Sequence, residues 1–263
     1  MTIVTSVTVR TRRDELAAIP TVLRSEWIKL SSLRSSKVVV GLTAAIGFLV
    51  SLAVAILVTD EVLMVSEVFV YSTVLTALIA SVMGILVFSS EAQHGTLGAV
   101  LSAQRARWII AACKTATAAA CGLALGAAGM TAGFAGAAVG GLAMGNPSTI
   151  AATSAWALVF TAMSAVLGLG IGIVVQHSAV AISGLLMWWL VLENLLIVFL
   201  PETIVRFLPY VAGFRMLGVA SDFDTPEAVA VALTRAQSTV VFGSFAAVAL
   251  ALGTSLLYRR EPA

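Results

Sequence analysis

Charge is scarce in this chain. Asp, Glu, Lys and Arg make up 11% of 263 residues, where an ordinary globular domain carries about a quarter. Hydrophobic residues reach 60% and the mean hydropathy is +1.04, so too little polar surface exists to coat a soluble fold. Disorder is excluded by the same composition, since it requires low hydrophobicity. Cysteine is equally rare. Cys113 and Cys121 stand eight residues apart on one expected helix, about 12 Å at the helical rise and beyond disulfide reach. They read as two buried thiols. His94 and His177 are the only histidines, and neither has a second ligand at metal spacing. None of the three lysines sits in a Gly-x-x-x-x-Gly-Lys-Ser/Thr loop, so the chain has no visible means of hydrolysing ATP. No Gly-x-Ser-x-Gly or His-Glu-x-x-His motif occurs, and no Asp lies inside an apolar run, which argues against intramembrane proteolysis. The expectation is a non-enzymatic membrane protein with no catalytic residues, metal or cofactor and no nucleic-acid partner. No secretory signal peptide is visible either, because the first 37 residues are polar and basic.

Long apolar runs are what the chain does have. Crossing about 30 Å of hydrocarbon takes roughly 20 residues, and six runs qualify: about 38–58, 69–88, 115–144, 150–175, 179–200 and 237–257. The third apolar tract begins at Trp108, so its first turns are expected in the interface. The predicted organisation is a tail and interfacial helix over 1–37, a six-span domain over 38–258, and a short tail over 259–263. The class is all-α, because helices satisfy their own backbone in lipid and barrel strands alternate instead. Twelve of the fifteen basic residues fall on the side of the two termini. The other side holds Arg206, Arg215 and Arg235 together with seven acids. The positive-inside rule therefore predicts cytoplasmic termini.

Two polar elements stand out on that side. Before the first span, Leu16, Ile19, Leu23, Trp27, Leu30 and Leu33 recur at three- and four-residue steps, interleaved with Arg24, Glu26, Lys29 and Arg34. That pattern describes an amphipathic helix suited to the headgroup layer. After the second span comes Glu91-Ala92-Gln93-His94-Gly95-Thr96-Leu97, then Leu101, Arg105, Arg107 and Lys114. A short helix over Glu91–Leu101 fits, with Gly95 permitting close approach by another backbone.

Taken together, Ser25-Glu26-Trp27-Ile28-Lys29-Leu30 with Leu33-Arg34-Ser35, the run Glu91-x-x-x-Gly95-Thr96-Leu97, and Lys114 entering the third span carry a resemblance. The chain resembles the membrane-spanning permease subunits of bacterial ABC-2-type ABC transporters. Gln93-His94 and Gln104 depart from the basic residue and the proline that many such permeases carry there. The resemblance implies a location in the bacterial cytoplasmic membrane and a partner permease, as a homodimer or with a sister chain. It also implies separate cytoplasmic ABC ATPase subunits that bind ATP and Mg. Glu26, Trp27 and Lys29, with Glu91, Gly95, Thr96, Leu97 and Leu101, would then couple the ATPase to the spans. The alternative is a membrane scaffold or sensor subunit that transports nothing.

Three further features lie in or near the spans. Gly122/Gly126, Gly129/Gly133 and Gly136/Gly140 in the third, and Gly168/Gly172 in the fourth, form small-xxx-small pairs and are read chiefly as packing surfaces. Glu193, followed by Asn194, is the one charge deep in the fifth span, about 22 Å from that span's cytoplasmic end. A buried carboxylate is costly, and a structural or gate role, with Arg206 or Arg215 as ion-pair partner, is expected ahead of a proton relay. Phe207, Tyr210 and Phe214 make the segment before the sixth span too apolar for a solvated loop, so short helices dipping in from outside are expected. With Glu193 and Asn194 they form the predicted gate or pathway. A path without dense charge suits an amphipathic or apolar cargo such as a drug, peptide or lipid, and export follows from the resemblance.

Overall fold

The computed structural model describes residues 19–32, 34–58, 63–93, 95, 107–218 and 226–259. These are 88% helical, with no strand among them. The order is α1 (Ile19–Ser32), α2 (Arg34–Leu57), α3 (Val65–Gln93), α4 (Arg107–Val139), α5 (Pro147–Val175) and α6 (Ser178–Met187). A π-helical turn (Trp188–Leu192) carries α6 directly into α7 (Glu193–Phe199). Then come α8 (Glu202–Val205), α9 (Pro209–Met216), α10 (Pro226–Ala230) and α11 (Arg235–Arg259). Six of the described helical stretches are long and apolar enough to cross a bilayer: α2, α3, α4, α5, α6 through α7, and α11. The protein is a multi-pass membrane protein.

The centre of the bundle is α3, α4 and α5. The contact of α3 with α5 is the most extensive in the molecule, and α4 lies against both. On the outside, α2 packs on α4, and α11 packs on α5. Small residues make these approaches possible. A Cβ at Gly168 would fall on the Ser81 carbonyl, one at Gly172 on the backbone of Ile85, and one at Gly84 on the Ala165 carbonyl. The glycines of α4 divide by face. Gly122 and Gly126 meet Thr161 of α5; Gly129 and Gly133 meet Thr76 and Ser72 of α3; Gly136 and Gly140 meet Phe48 and Ala55 of α2. The hydroxyls of Thr76 and Ser81 in these seams bond back to their own helices, Thr76 to Ser72 O at 3.0 Å and Ser81 to Ala77 O at 3.0 Å. Their polarity is thereby neutralised without spending an interhelical partner.

One boundary differs from the sequence expectation. The third long helix stops at Val139, although the apolar run continues to Met144. Gly141 adopts φ +84°, its N–H bonds Ala138 O, and the Leu142 N–H bonds Ala137 O. This is the Schellman arrangement, with Leu142 packed beside Ala137. Ala143 then pairs with the start of α3, accepting from Val65 N at 3.0 Å. Hydropathy could not reveal this stop, because the residues that leave the helix are as apolar as those within it.

Candidate functional site

Two buried carboxylate sites hold the residues singled out from the sequence. The first lies where α1 meets the last turn of α3 and the second turn of α4. Glu26 of α1 is buried, while Trp27 and Ile28 beside it are exposed. Its carboxylate receives Lys29 Nζ on one oxygen at 3.2 Å and Lys114 Nζ on the other at 3.4 Å. The same two ammonium groups reach Glu91, Lys29 to Oε1 at 3.0 Å and Lys114 to Oε2 at 2.9 Å. The result is a closed ring of four alternating charges, with zero net charge at neutral pH.

Lys114 is 1% exposed and also donates toward Val87 O at 3.4 Å. An ammonium so buried would be prohibitively costly alone; here it is shared by two carboxylates and a carbonyl. Lys29 is half-exposed. Burial opposes its charge, but the hydrogen bond to Glu91 and the charges of Glu26 and Glu91 outweigh burial and hold its pKa above the usual lysine value. Glu91 sits at the C-terminal end of α3, where the helix macrodipole disfavours a carboxylate. The two lysines compensate for that placement.

The structure moves Glu91 out of the expected short helix over Glu91–Leu101, whose residues from 96 on lie outside the described ones. Glu91 belongs to the end of the second long helix, which runs without interruption from Val65 to Gln93. It therefore faces lysines rather than amides of a helix start. Gly95 lies just beyond, with φ +70°, in the left-handed conformation that commonly ends a helix. Its glycine character answers first to the backbone. It is also exposed, and a Cβ there would meet nothing. Thr96, Leu97 and Leu101 lie outside the described residues, and Trp27 is exposed.

The second site is Glu193, 2% exposed at the end of the π-helical turn. Its carboxylate accepts Trp188 Nε1 at 3.1 Å on one oxygen and the Val211 N–H at 2.7 Å on the other, with the Tyr210 N–H also directed at it. Tyr210 and Val211 are in the first turn of α9, which Pro209 opens. Their amides have no partners within α9. Glu193 is thus an N-terminal cap delivered from another helix, with its carboxyl oxygens aimed at the positive end of the α9 dipole. The expected arginine pair is replaced by backbone: Arg206 donates instead to Thr203 O and Val231 O.

Wide spacing brings this about. In a π turn the Glu193 N–H reaches back five residues to Trp188 O, which shifts the following helix face by a residue. Asn194 repairs the disturbed ladder by donating to Trp189 O at 3.0 Å and Leu190 O at 3.2 Å. Tyr210 is buried between Trp189 and Phe242, at centroid distances of 5.9 and 6.1 Å, with its hydroxyl beside Ser81 in the middle of α3. Gly213 lies against the Phe160 ring of α5. Phe214 is half-buried on α9, whereas Phe207 is exposed and stacks under Arg206 at 4.8 Å. Of the five predicted gate residues, Glu193 and Tyr210 therefore meet, and Phe207 stands apart. The feature that sequence reasoning missed is Trp188, whose indole completes the carboxylate's partners. No group of His, Cys, Asp and Glu that could hold a metal occurs among the described residues.

No protein-family model matches this chain, and no curated protein is significantly similar to it in sequence.

Proposed function

We propose that the chain is the membrane-spanning permease subunit of an ATP-driven exporter of the ABC-2 type. The observation that carries the reading is the ring of Glu26, Lys29, Glu91 and Lys114. These residues come from three stretches up to 88 positions apart, and they are among those on which the resemblance to such permeases rests. A chain without its own nucleotide site must receive work through a contact outside the bilayer. A neutral, interlocked charge cluster joining α1 to α3 and α4 is suited to move those helices as one body. In this reading α1 lies in the inner headgroup layer with Trp27 and Ile28 toward lipid, and both termini are cytoplasmic in a bacterial inner membrane. A second permease completes the path, two ABC ATPases supply ATP and Mg chemistry, and the cargo is amphipathic or apolar. The helices α8 and α9 dip in from the outer face, which is supported by the contacts of α9 with Ser81 and Phe160 at mid-helix depth.

The test is purification with native partners followed by ATPase assay of the complex. A co-purifying ATPase whose turnover depends on this chain is expected; a stable complex lacking any ATPase would favour the scaffold reading instead. Gly95 refines the test. Any side chain at its positive φ costs about 1–2 kcal/mol locally, so Gly95→Ala controls for strain and Gly95→Trp adds bulk. We expect Gly95→Ala to retain ATPase stimulation and Gly95→Trp to lose it. Equal stimulation by both variants would remove this turn from the coupling contact. Cysteine labelling supplies the orientation: residue 64 should react from outside and residue 94 from inside, and the reverse would overturn the topology.

A further inference from the structure

The walls of α5, α6, α9 and α11 enclose an apolar cleft of about 480 Å³ that the transport reading does not use. Its sides include Leu167 and Ile171 of α5, Gly184 and Trp188 of the α6 segment, and Phe245 of α11, and Tyr210 stands at one end. The cleft follows α6 from Val180 to Trp188 and α5 from Val175 back to Leu167, about 12 Å at the helical rise. That length is close to the ~15 Å of hydrocarbon in one leaflet. One end, at Val175 and Val180, lies beside the α5–α6 connection, and Pro209 and Tyr210 of the α9 N-terminus line the other. The Trp188 indole N–H, a polar atom at its edge, is already taken by Glu193. Glu193 thus fixes both Trp188 and the backbone of Tyr210, holding that end in shape.

We propose that this cleft holds one acyl chain of a phospholipid drawn from the leaflet on the side of the α5–α6 connection. The walls belong to membrane spans, so hydrocarbon is the medium that meets the opening. The volume lies in the range of about 300–1,000 Å³ typical of small-molecule sites, and the lining side chains are apolar apart from Trp188 and Tyr210. The missing side chain at Gly184 keeps the cleft open, since a Cβ there meets no atom within 4 Å.

That vacancy supplies the test, which does not depend on transport. Phosphatidylcholine vesicles containing the protein receive a trace of phosphatidylcholine with a photoactivatable diazirine on one acyl chain, and adducts are mapped by mass spectrometry. Gly184→Leu sets its Cβ in open space, carries its bulk into the cleft and gains helix propensity. Gly41→Leu makes the same change on the exposed face of α2, where a Cβ also meets nothing. Adducts should concentrate on Ile171, Val180 and Trp188, fall about tenfold in Gly184→Leu, and persist in Gly41→Leu; excluding even two methylenes from contact suffices for a change of that size. Labelling spread evenly over the exposed helix faces and indifferent to Gly184→Leu would overturn the proposal. So would efficient disulfide trapping of Gly184→Cys between two copies, which would make the cleft a protein contact.

Discussion

The charge ring and the Glu193 site solve the same problem with different means. Each buries carboxylate in an apolar bundle, and each fastens a helix too short to span. At α1 the fastener is opposite charge: two ammonium groups held by two carboxylates. At α9 it is the end of a helix, whose first amides surround a single carboxylate. The difference lies in what happens when one member is lost. A ring that loses Lys114 keeps two carboxylates with only the half-exposed Lys29 between them. A cap that loses its carboxylate leaves only neutral N–H groups without partners. Burial of a charge makes a site costly to break, and the sign and number of what remains decide how costly.

The comparison can be broken most severely at Lys114. Lys114→Met should destabilise the protein by up to about 3–5 kcal/mol, the upper range for breaking a buried ion pair, since Lys29 still holds one oxygen of each carboxylate; the thermal midpoint in detergent measures it. Adding Glu26→Gln and Glu91→Gln to that variant should recover much of the loss. A loss from Lys114→Met as small as that of a surface lysine would show that the ring is not closed in the protein. Glu193→Leu comes next, at about 1–3 kcal/mol for the stranded amides and indole. Glu193→Gln keeps one carbonyl oxygen as an acceptor and should lose less. Trp188 fluorescence should change in both, since the indole N–H loses a charged acceptor. If Glu193→Gln proves as damaging as Glu193→Leu, the carboxylate charge matters more than the cap.

Lys29→Met should have the smallest effect, within about 1 kcal/mol, because its ammonium is half in solvent and screened. Its pKa lies above the usual lysine value in the folded protein. Its contribution is therefore complete at neutral pH and declines only as alkali titrates the folded group, above about 10.5. A stability loss confined to Lys29 that appears between pH 6 and 9 would contradict that assignment.

The spans were readable because a bilayer imposes length and composition, and both are local properties. The glycine pairs were readable for a related reason: a small residue every fourth position marks a face, whichever helix covers it. What met across those faces was not readable. Glu26 and Glu91 could be chosen as polar residues near membrane ends, but nothing local says that Lys114 swings between them. Glu193 was conspicuous as an intramembrane acid, yet its partners are two backbone amides, which every residue except proline possesses and no sequence pattern advertises. The inference to an arginine failed there because arginine is visible in a sequence and an unpaired amide is not. The stop after Val139 was hidden by apolar residues that continue past it, and Gly140-Gly141 was the available sign.

The cap on α9 also sets an order of events during synthesis. Trp188 precedes Glu193 in the chain, but Tyr210 and Val211 follow it by 17 and 18 residues. When the fifth apolar segment enters the bilayer, its carboxylate can have the indole and not yet the amides. A central acid costs roughly 2.5–3.5 kcal/mol on translocon-based scales, which a segment averaging a hydropathy of 1.9 over its best window can bear. The segment is therefore admitted on its leucines, valines and isoleucines, and its acid is satisfied later, when α9 arrives. Packing of α9 on Glu193 thus follows membrane entry of the fifth span, because the amides that satisfy the acid come later in the chain.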